Sequence, residues 1–340
     1  VWAEEVSKES SDQSGLQLEC KSAILMEQTT GQVLYEMNAD APMPPASITK
    51  IMTLLLTFEA MDQGKFQYDT LLSCSEHASM GGSQIWLEPG EEMTVDEILR
   101  ATFISSANDA AVVLAEAVAG SEDAFVGMMN EKAKELGMEN THFANATGLD
   151  AQEHYSTARD IALMSAALLR YPDVTRYSTV WMDSLRGGTT ELVNTNKMVR
   201  FYNGATGLKT GTTNGAGSCL SASAQRDNLS LIAVSLGSDT SAQRFASCRT
   251  LLDYGFANYV TVQPPSLQEQ LTPVPVLHGV QRQVDLAYDL PPSFVMKRGE
   301  ENSLTQEVEL AEDVEAPVEE GQLLGKVVVS KEGTVLGEYP

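Results

Sequence analysis

The 340-residue chain lacks any apolar run long enough to cross a bilayer, which takes about 20 residues. It is short of positive charge: 22 Lys and Arg stand against 47 Asp and Glu, a formal net charge of −25. That balance argues against nucleic acid or anionic lipid as a partner, because both reward basic faces. Cysteine is sparse, and Cys20, Cys74, Cys219 and Cys248 lie far apart with no Cys-x-x-Cys pair. Zinc-ligand spacing is therefore missing. The acidic stretch Glu300–Glu320 lacks the spacing of a calcium loop and reads as a solvated rim, so no metal is expected. In a chain this large the scattered cysteines are expected as buried free thiols, with any pairing left open.

What is present suffices for a substantial core and more than one domain. Val1-Trp2-Ala3 has the small-residue ending of a signal peptide and is followed by a polar, patternless stretch. Residues 1–17 are read as a signal remnant and flexible leader, which implies export. Leu18–Asp40 reads as two strands about a turn at Thr29-Thr30-Gly31. Pro44-Pro45 then sets up a helix from near Ala46 to near Gly64. Thr94 and Glu97 form a capping box ahead of a further helical region. The polar island Ser105–Asp109 breaks that region, and helices follow over 121–138 and Ser156–Tyr171.

The period then changes. Gly207–Thr213, Ser218–Arg226 and Leu229–Gly237 read as sequential strands joined at Asn214-Gly215 and Asp227-Asn228, an antiparallel meander. Helix returns before prolines 264, 265, 273 and 275. These assignments give a main domain over 18–262, a linker over 263–276 and a small β-sandwich-like domain over 277–340, with a hairpin about Lys331–Gly333.

One stretch carries a contradiction. Ala41–Gly64 is almost entirely apolar, yet holds Ser47 and Lys50 one helical turn apart on one face. A buried ammonium loses hydration it cannot replace, so Lys50 either reaches water or is held inside for chemistry. Ser106-Ala107-Asn108 breaks the helical run and Lys209-Thr210-Gly211 opens the meander. Each motif alone has a bland explanation, as a cap, a local backbone bond or a solvated strand residue. Together, in order and each in a fitting element, they resemble the Ser-x-x-Lys acyl-transferase superfamily of class A β-lactamases and penicillin-binding proteins. More narrowly, the chain is similar to low-molecular-mass penicillin-binding proteins that act as D-alanyl-D-alanine carboxypeptidases.

The resemblance implies an α/β (α+β) catalytic fold of the β-lactamase/DD-peptidase type. Its antiparallel sheet is flanked by helices with an all-helical subdomain, and a small all-β domain follows. Chemistry assigns roles. A serine hydroxyl needs a base, and Lys50 qualifies if desolvation and a neighbouring positive charge from Lys209 keep its amine neutral. By resemblance, the backbone N–H groups of Ser47 and Thr212 form the oxyanion hole. Ser106 relays a proton to the leaving nitrogen, while Asn108 bonds a substrate amide and steadies the lysine side chain. The strand holding Lys209, Thr210, Gly211 and Thr212 pairs with an extended peptide and presents Lys209 and the two hydroxyls to its carboxylate. Arg244 is carried over as a further carboxylate contact, a helix-surface arginine being the alternative. Two departures stand out: Thr195 where some relatives place an arginine, and Glu153 in the loop where class A β-lactamases hold their deacylating glutamate.

The implied activity is removal of the terminal D-alanine from peptidoglycan stem pentapeptides through an acyl-enzyme on Ser47, inhibited by β-lactams and needing no cofactor. The alternatives are a DD-endopeptidase or β-lactamase of the same superfamily, or a non-catalytic β-lactam- or peptidoglycan-binding module. The place of action is extracytoplasmic, at the cell wall or outer face of the cytoplasmic membrane. Family members commonly add a C-terminal amphipathic helix as a membrane-surface anchor, and this sequence stops at Thr334–Pro340 without one.

Overall fold

The computed structural model describes residues 15–340, so the expected signal remnant and most of the leader fall outside the described residues. The chain divides into two compact units, one ending at Phe256 and the other starting at Ala257. The sequence reading ended the main domain at Val262. Tyr259–Val262 instead pairs with Phe294–Lys297 in antiparallel register, and that ladder draws it into the second unit.

The first unit is built on a five-stranded sheet. Strands β1 (Ser22–Glu27) and β2 (Val33–Met37) form one hairpin, while β3 (Ala205–Thr213), β4 (Gly217–Arg226) and β5 (Leu229–Ser238) form the meander. The order is β2-β1-β5-β4-β3 with every pair antiparallel, so the first hairpin docks on the last strand of the meander and β3 is left at the edge. The β4–β5 turn has Asp227 at φ +52, a conformation that a short side chain able to bond its own backbone tolerates.

Both faces of the sheet are covered, which is why β1 is buried at every position despite carrying Ser22 and Glu27. On one face lies α5 (Ala158–Leu169), against β1 and β5. On the other lies α6 (Ser241–Asn258), where a Cβ at Gly255 would sit 2.5 Å from Leu231 and 3.0 Å from Leu25. The helical layer beyond α5 holds α1 (Lys50–Asp62), packed on α3 and α5. Its Leu54, Leu55, Leu56 and Phe58 are buried, each contributing about 1.5–3 kcal/mol over an exposed position. Helix α2 (Val95–Ser105) opens with both bonds of the expected capping box, Glu97 N to Thr94 Oγ1 and Thr94 N to Glu97 Oε1, each 3.2 Å. Helices α3 (Asn108–Ala119) and α4 (Glu122–Glu135) complete the layer.

The helix expected from Ala46 divides in two: Ala46–Thr49 is a tight 3-10 turn, and α-helix begins only at Lys50. Ala46 stands at φ +51, a conformation alanine adopts at a cost of about 1–2 kcal/mol, and is fully buried. The neighbour that holds this turn is Gly148, at φ +94, where a Cβ would lie 1.8 Å from the Ala46 carbonyl oxygen. No described helix is long and apolar enough to cross a membrane.

The second unit is built from short strands. Leu304–Leu310, Gly325–Lys331 and Thr334–Tyr339 form one antiparallel sheet, whose last hairpin turns at Glu332-Gly333. Val274–Leu277 pairs with Gln283–Val284 and with Val314–Glu315, so the stretch expected as linker already contains strand at its end. Val274, Val295, Met296, Val327 and Val329 form its interior. The acidic segment is partly neutralised, with Glu309 on Lys326 and Glu300 on Lys331.

Gly148 and Gly90 both have positive φ, but nothing lies within 4 Å of a Cβ at Gly90. Gly90→Ala is expected to lower stability by about 1 kcal/mol, and Gly148→Ala by roughly 3 kcal/mol or more because the Ala46 backbone blocks the methyl. Thermal unfolding of the two variants checks the difference; equal midpoints would remove the contact as a constraint.

Candidate active site

The 3-10 turn places Ser47 at its partly open side while Ala46 and Ile48 face inward. One turn on, Lys50 has no solvent exposure at all. Its Nζ lies 2.8 Å from Ser47 Oγ, 3.3 Å from Ser106 Oγ and 3.0 Å from the Thr147 carbonyl oxygen. Lys50 therefore does not reach water; it is held inside between two hydroxyls.

Those three partners suit both charge states. An ammonium donates to all three. A neutral amine donates to Thr147 O and Ser106 Oγ and leaves its lone pair for the Ser47 proton. Burial, and then the charge of Lys209, hold Lys50 well below the ordinary lysine range, with Asp109 opposing them. The site thus favours the base form without leaving the acid form unpaired.

Ser106 follows α2 in the left-handed region at φ +58, and that kink swings its hydroxyl toward Lys50. Contrary to expectation, Asn108 makes no hydrogen bond to either lysine. Its Nδ2 donates to Gly81 O at 2.8 Å and its amide N to Ser83 O at 2.7 Å, so it holds the loop in front of α3. Its buried Oδ1 has no hydrogen-bond partner among the described residues. Asp109 secures the same loop, accepting from Ile85 N at 3.2 Å and Leu87 N at 2.9 Å.

Edge strand β3 closes the other side. A Cβ at Gly211 would lie 2.8 Å from Ser47 N and 3.1 Å from Ile48 N, so glycine is what lets the strand pass the serine turn. Lys209 is buried, its Nζ lacks a hydrogen-bond partner among the described residues, and burial followed by the Arg244 charge pushes it down to about 7. The two hydroxyls diverge. Thr212 is exposed and accepts from Arg244 Nη1 at 2.8 Å, whereas buried Thr210 donates to Thr195 Oγ1 at 2.6 Å. Arg244 is no helix-surface residue. It lies buried on α6, and Nη1 also reaches Gly211 O at 3.2 Å and Cys219 O at 3.4 Å.

Residues 141–157 form the third wall. Glu153 is exposed there, and the loop meets Lys50 through the Thr147 carbonyl instead. Asp150 ties the loop to the end of β3, accepting from Thr213 Oγ1 at 2.7 Å and Gly215 N at 3.1 Å. His154 accepts from Ala144 N through Nδ1, so its Nε2 donates to Thr49 Oγ1, 2.8 Å away, one residue before the lysine. Burial lowers His154 to about 4 and keeps it neutral. Thr147, Gly148 and His154 are not singled out by sequence, and Asp109 only as the end of the polar island. A carbonyl partner such as that of Thr147 has no residue-type signal. All four cysteines are free thiols, and among the described residues no three potential metal ligands come together.

Comparison with known proteins fits this geometry. A family model described as D-alanyl-D-alanine carboxypeptidase matches residues 6–240, and one described as the penicillin-binding protein 5 C-terminal domain matches 259–340. The D-alanyl-D-alanine carboxypeptidase DacF of Bacillus subtilis is 46% identical over 332 residues, 96% of this chain and 85% of that protein. The crystal structure of penicillin binding protein 5 from Haemophilus influenzae superposes with a TM-score of 0.81 at 28% identity, covering 95% of this chain and 96% of that one. Penicillin-binding protein D2 from Listeria monocytogenes, in its ampicillin-bound form, matches at TM-score 0.65 and 32% identity over 71% of this chain and 99% of that one. With matches along nearly its whole length, the chain belongs to the D-alanyl-D-alanine carboxypeptidases, serine peptidases with a β-lactamase-like catalytic fold and a β-rich C-terminal domain.

Proposed function

We propose that this carboxypeptidase trims the terminal D-alanine from peptidoglycan stem pentapeptides outside the cytoplasm, through an acyl-enzyme on Ser47, and that β-lactams acylate the same serine. The observation that carries the reading is the fully buried Lys50 amine within hydrogen-bond reach of Ser47 and Ser106.

In this reading Lys50 takes the Ser47 proton as Oγ attacks the carbonyl of the penultimate D-alanine. The negative charge that develops on the carbonyl oxygen falls to the backbone N–H groups of Ser47 and Thr212, which close packing at Gly211 brings near one another. The C–N bond then breaks. The proton passes from Lys50 through Ser106 to the leaving nitrogen, and D-alanine departs. Water attacks the ester and restores Ser47. The substrate lies along β3 with the Asn108 amide on a backbone group. Lys209 faces the terminal carboxylate, and Arg244 supports that contact by fixing the Thr212 hydroxyl.

Ser47→Ala is expected to lose covalent labelling by a fluorescent penicillin and to slow D-alanine release from diacetyl-Lys-D-Ala-D-Ala by several orders of magnitude. Peptide mapping of the labelled wild type locates the adduct; a label away from the Ser47 peptide would reject the nucleophile.

Removing the positive neighbour makes Lys50 easier to protonate, so its base form persists only at higher pH. In Lys209→Gln the acid limb of the acylation-rate profile is expected to move up by about one pH unit. The position of the limb reports Lys50 whatever the plateau height, and an unmoved limb would show that Lys209 does not set its proton affinity.

A further inference from the structure

Strand β3 has charges of opposite sign toward its two ends, and only the cation has a part in the chemistry above. Side chains alternate across a strand, so Lys209, Gly211 and Thr213 share one face. Gly211 marks that face as the one turned to the serine, since a Cβ there would lie 2.8 Å from Ser47 N. At the far end the Thr213 hydroxyl donates to Asp150 Oδ1 at 2.7 Å, and Gly215 N donates to Asp150 Oδ2 at 3.1 Å. Asp150 is exposed. Both donors are neutral, so among the described residues its charge has no cationic partner.

The direction of the substrate decides which part of it meets Asp150. With the terminal carboxylate at Lys209 and the scissile carbonyl oxygen at Thr212 N, the peptide runs opposite to β3, and its amino end continues past Thr212. The residue before D-Ala-D-Ala then lies level with Thr213, about 3.4 Å beyond the penultimate alanine. Leu149 flanks the same end from the other side. Its Cδ2 would lie 3.7 Å from a Cβ at Gly82, which itself would abut Asn108 Nδ2 at 2.7 Å. Leu149 and Asp150 thus join the Asn108 wall to the end of β3, and about 14 Å of strand separates Lys209 from Thr213.

We propose that Asp150 selects stem peptides whose residue before D-Ala-D-Ala carries a free side-chain amine, by pairing its carboxylate with that ammonium. This rests on the carboxypeptidase reading given above. A carboxylate has about four acceptor positions and Thr213 and Gly215 fill two, which leaves the others for a cation. A compact ammonium on a flexible four-carbon stem reaches such a point charge without a shaped pocket. The substrate is then held by charge at both ends, its carboxylate at Lys209 and its amine at Asp150, with Gly211 and Ser47 between them. Acetylating the amine removes the charge and with it the contact.

D-alanine release by the full chain is measured on Nα-acetyl-Lys-D-Ala-D-Ala, whose ε-amine is free, and on diacetyl-Lys-D-Ala-D-Ala, which differs only at that amine. The wild type is expected to favour the free amine by about two- to fivefold in kcat/KM at low salt, mainly through KM, and Asp150→Asn to bring the ratio to about one. Loosening of the loop alone lowers both rates together, so the ratio separates recognition from anchoring. No preference in the wild type, or a preference that Asp150→Asn leaves intact, would overturn the proposal. If the wild type released D-alanine from neither peptide, the carboxypeptidase reading would fail separately. Titration of the two peptides into Ser47→Ala, with and without Asp150→Asn, still decides the amine contact. Tighter binding of the free amine that vanishes with Asp150→Asn supports it; equal binding, or a difference that Asp150→Asn leaves, rejects it.

Discussion

A lysine amine without water is the constraint around which the catalytic unit is arranged. Desolvating an ammonium costs several kcal/mol, so the fold either pairs it or strips its proton. Here both answers are built in. Three oxygens from three separate segments, the serine turn, the α2–α3 junction and the 141–157 loop, surround one nitrogen. Each segment reaches it through an unusual backbone: Ala46 and Ser106 in the left-handed region, and Gly148 where no side chain fits. Such local strain persists only where the surroundings enforce it, and here it surrounds Lys50 and its two hydroxyl partners.

The same demand explains the second cation. A buried Lys209 without a hydrogen-bond partner among the described residues, lowered to about 7 by burial and then by the Arg244 charge, is costly by stability criteria alone. It makes sense as a positive field maintained for a negative ligand, with depression of the Lys50 proton affinity as a second result. Helix α6 and strand β3 share this arrangement because Arg244 spans from one to the other.

Much of this was legible in the sequence because polar residues out of place are conspicuous in apolar runs. Ser47 and Lys50 in an apolar segment, Ser106 and Asn108 interrupting helix, and Lys209 in the middle of a strand all announced themselves by that contrast. The meander and its turns followed from Asn214-Gly215 and Asp227-Asn228, and the capping box from Thr94 and Glu97. Less legible were contacts that the backbone makes. The Thr147 carbonyl has no residue-type signature, and the 3-10 turn at Ala46 reflects packing against Gly148 rather than helix propensity. Asn108 was expected against lysine because its amide suits that partner; the loop carbonyls of Gly81 and Ser83 occupy its nitrogens instead. The domain boundary moved because Tyr259–Val262 carries no pattern that reveals which sheet it joins.

The placing of β3 at the rim of the sheet has an outcome beyond catalysis. An unpaired strand rim is a hazard, since any extended chain, including a second copy of the same protein, finds ready hydrogen-bonding groups there. Proteins commonly cap such rims or crowd them with charge, yet this one must stay open if peptides are to dock. Two segments pack beside it, the serine turn against Gly211 and the Thr195 segment on the Thr210 hydroxyl. Guarding against self-association and receiving a peptide thus fall to the same two segments.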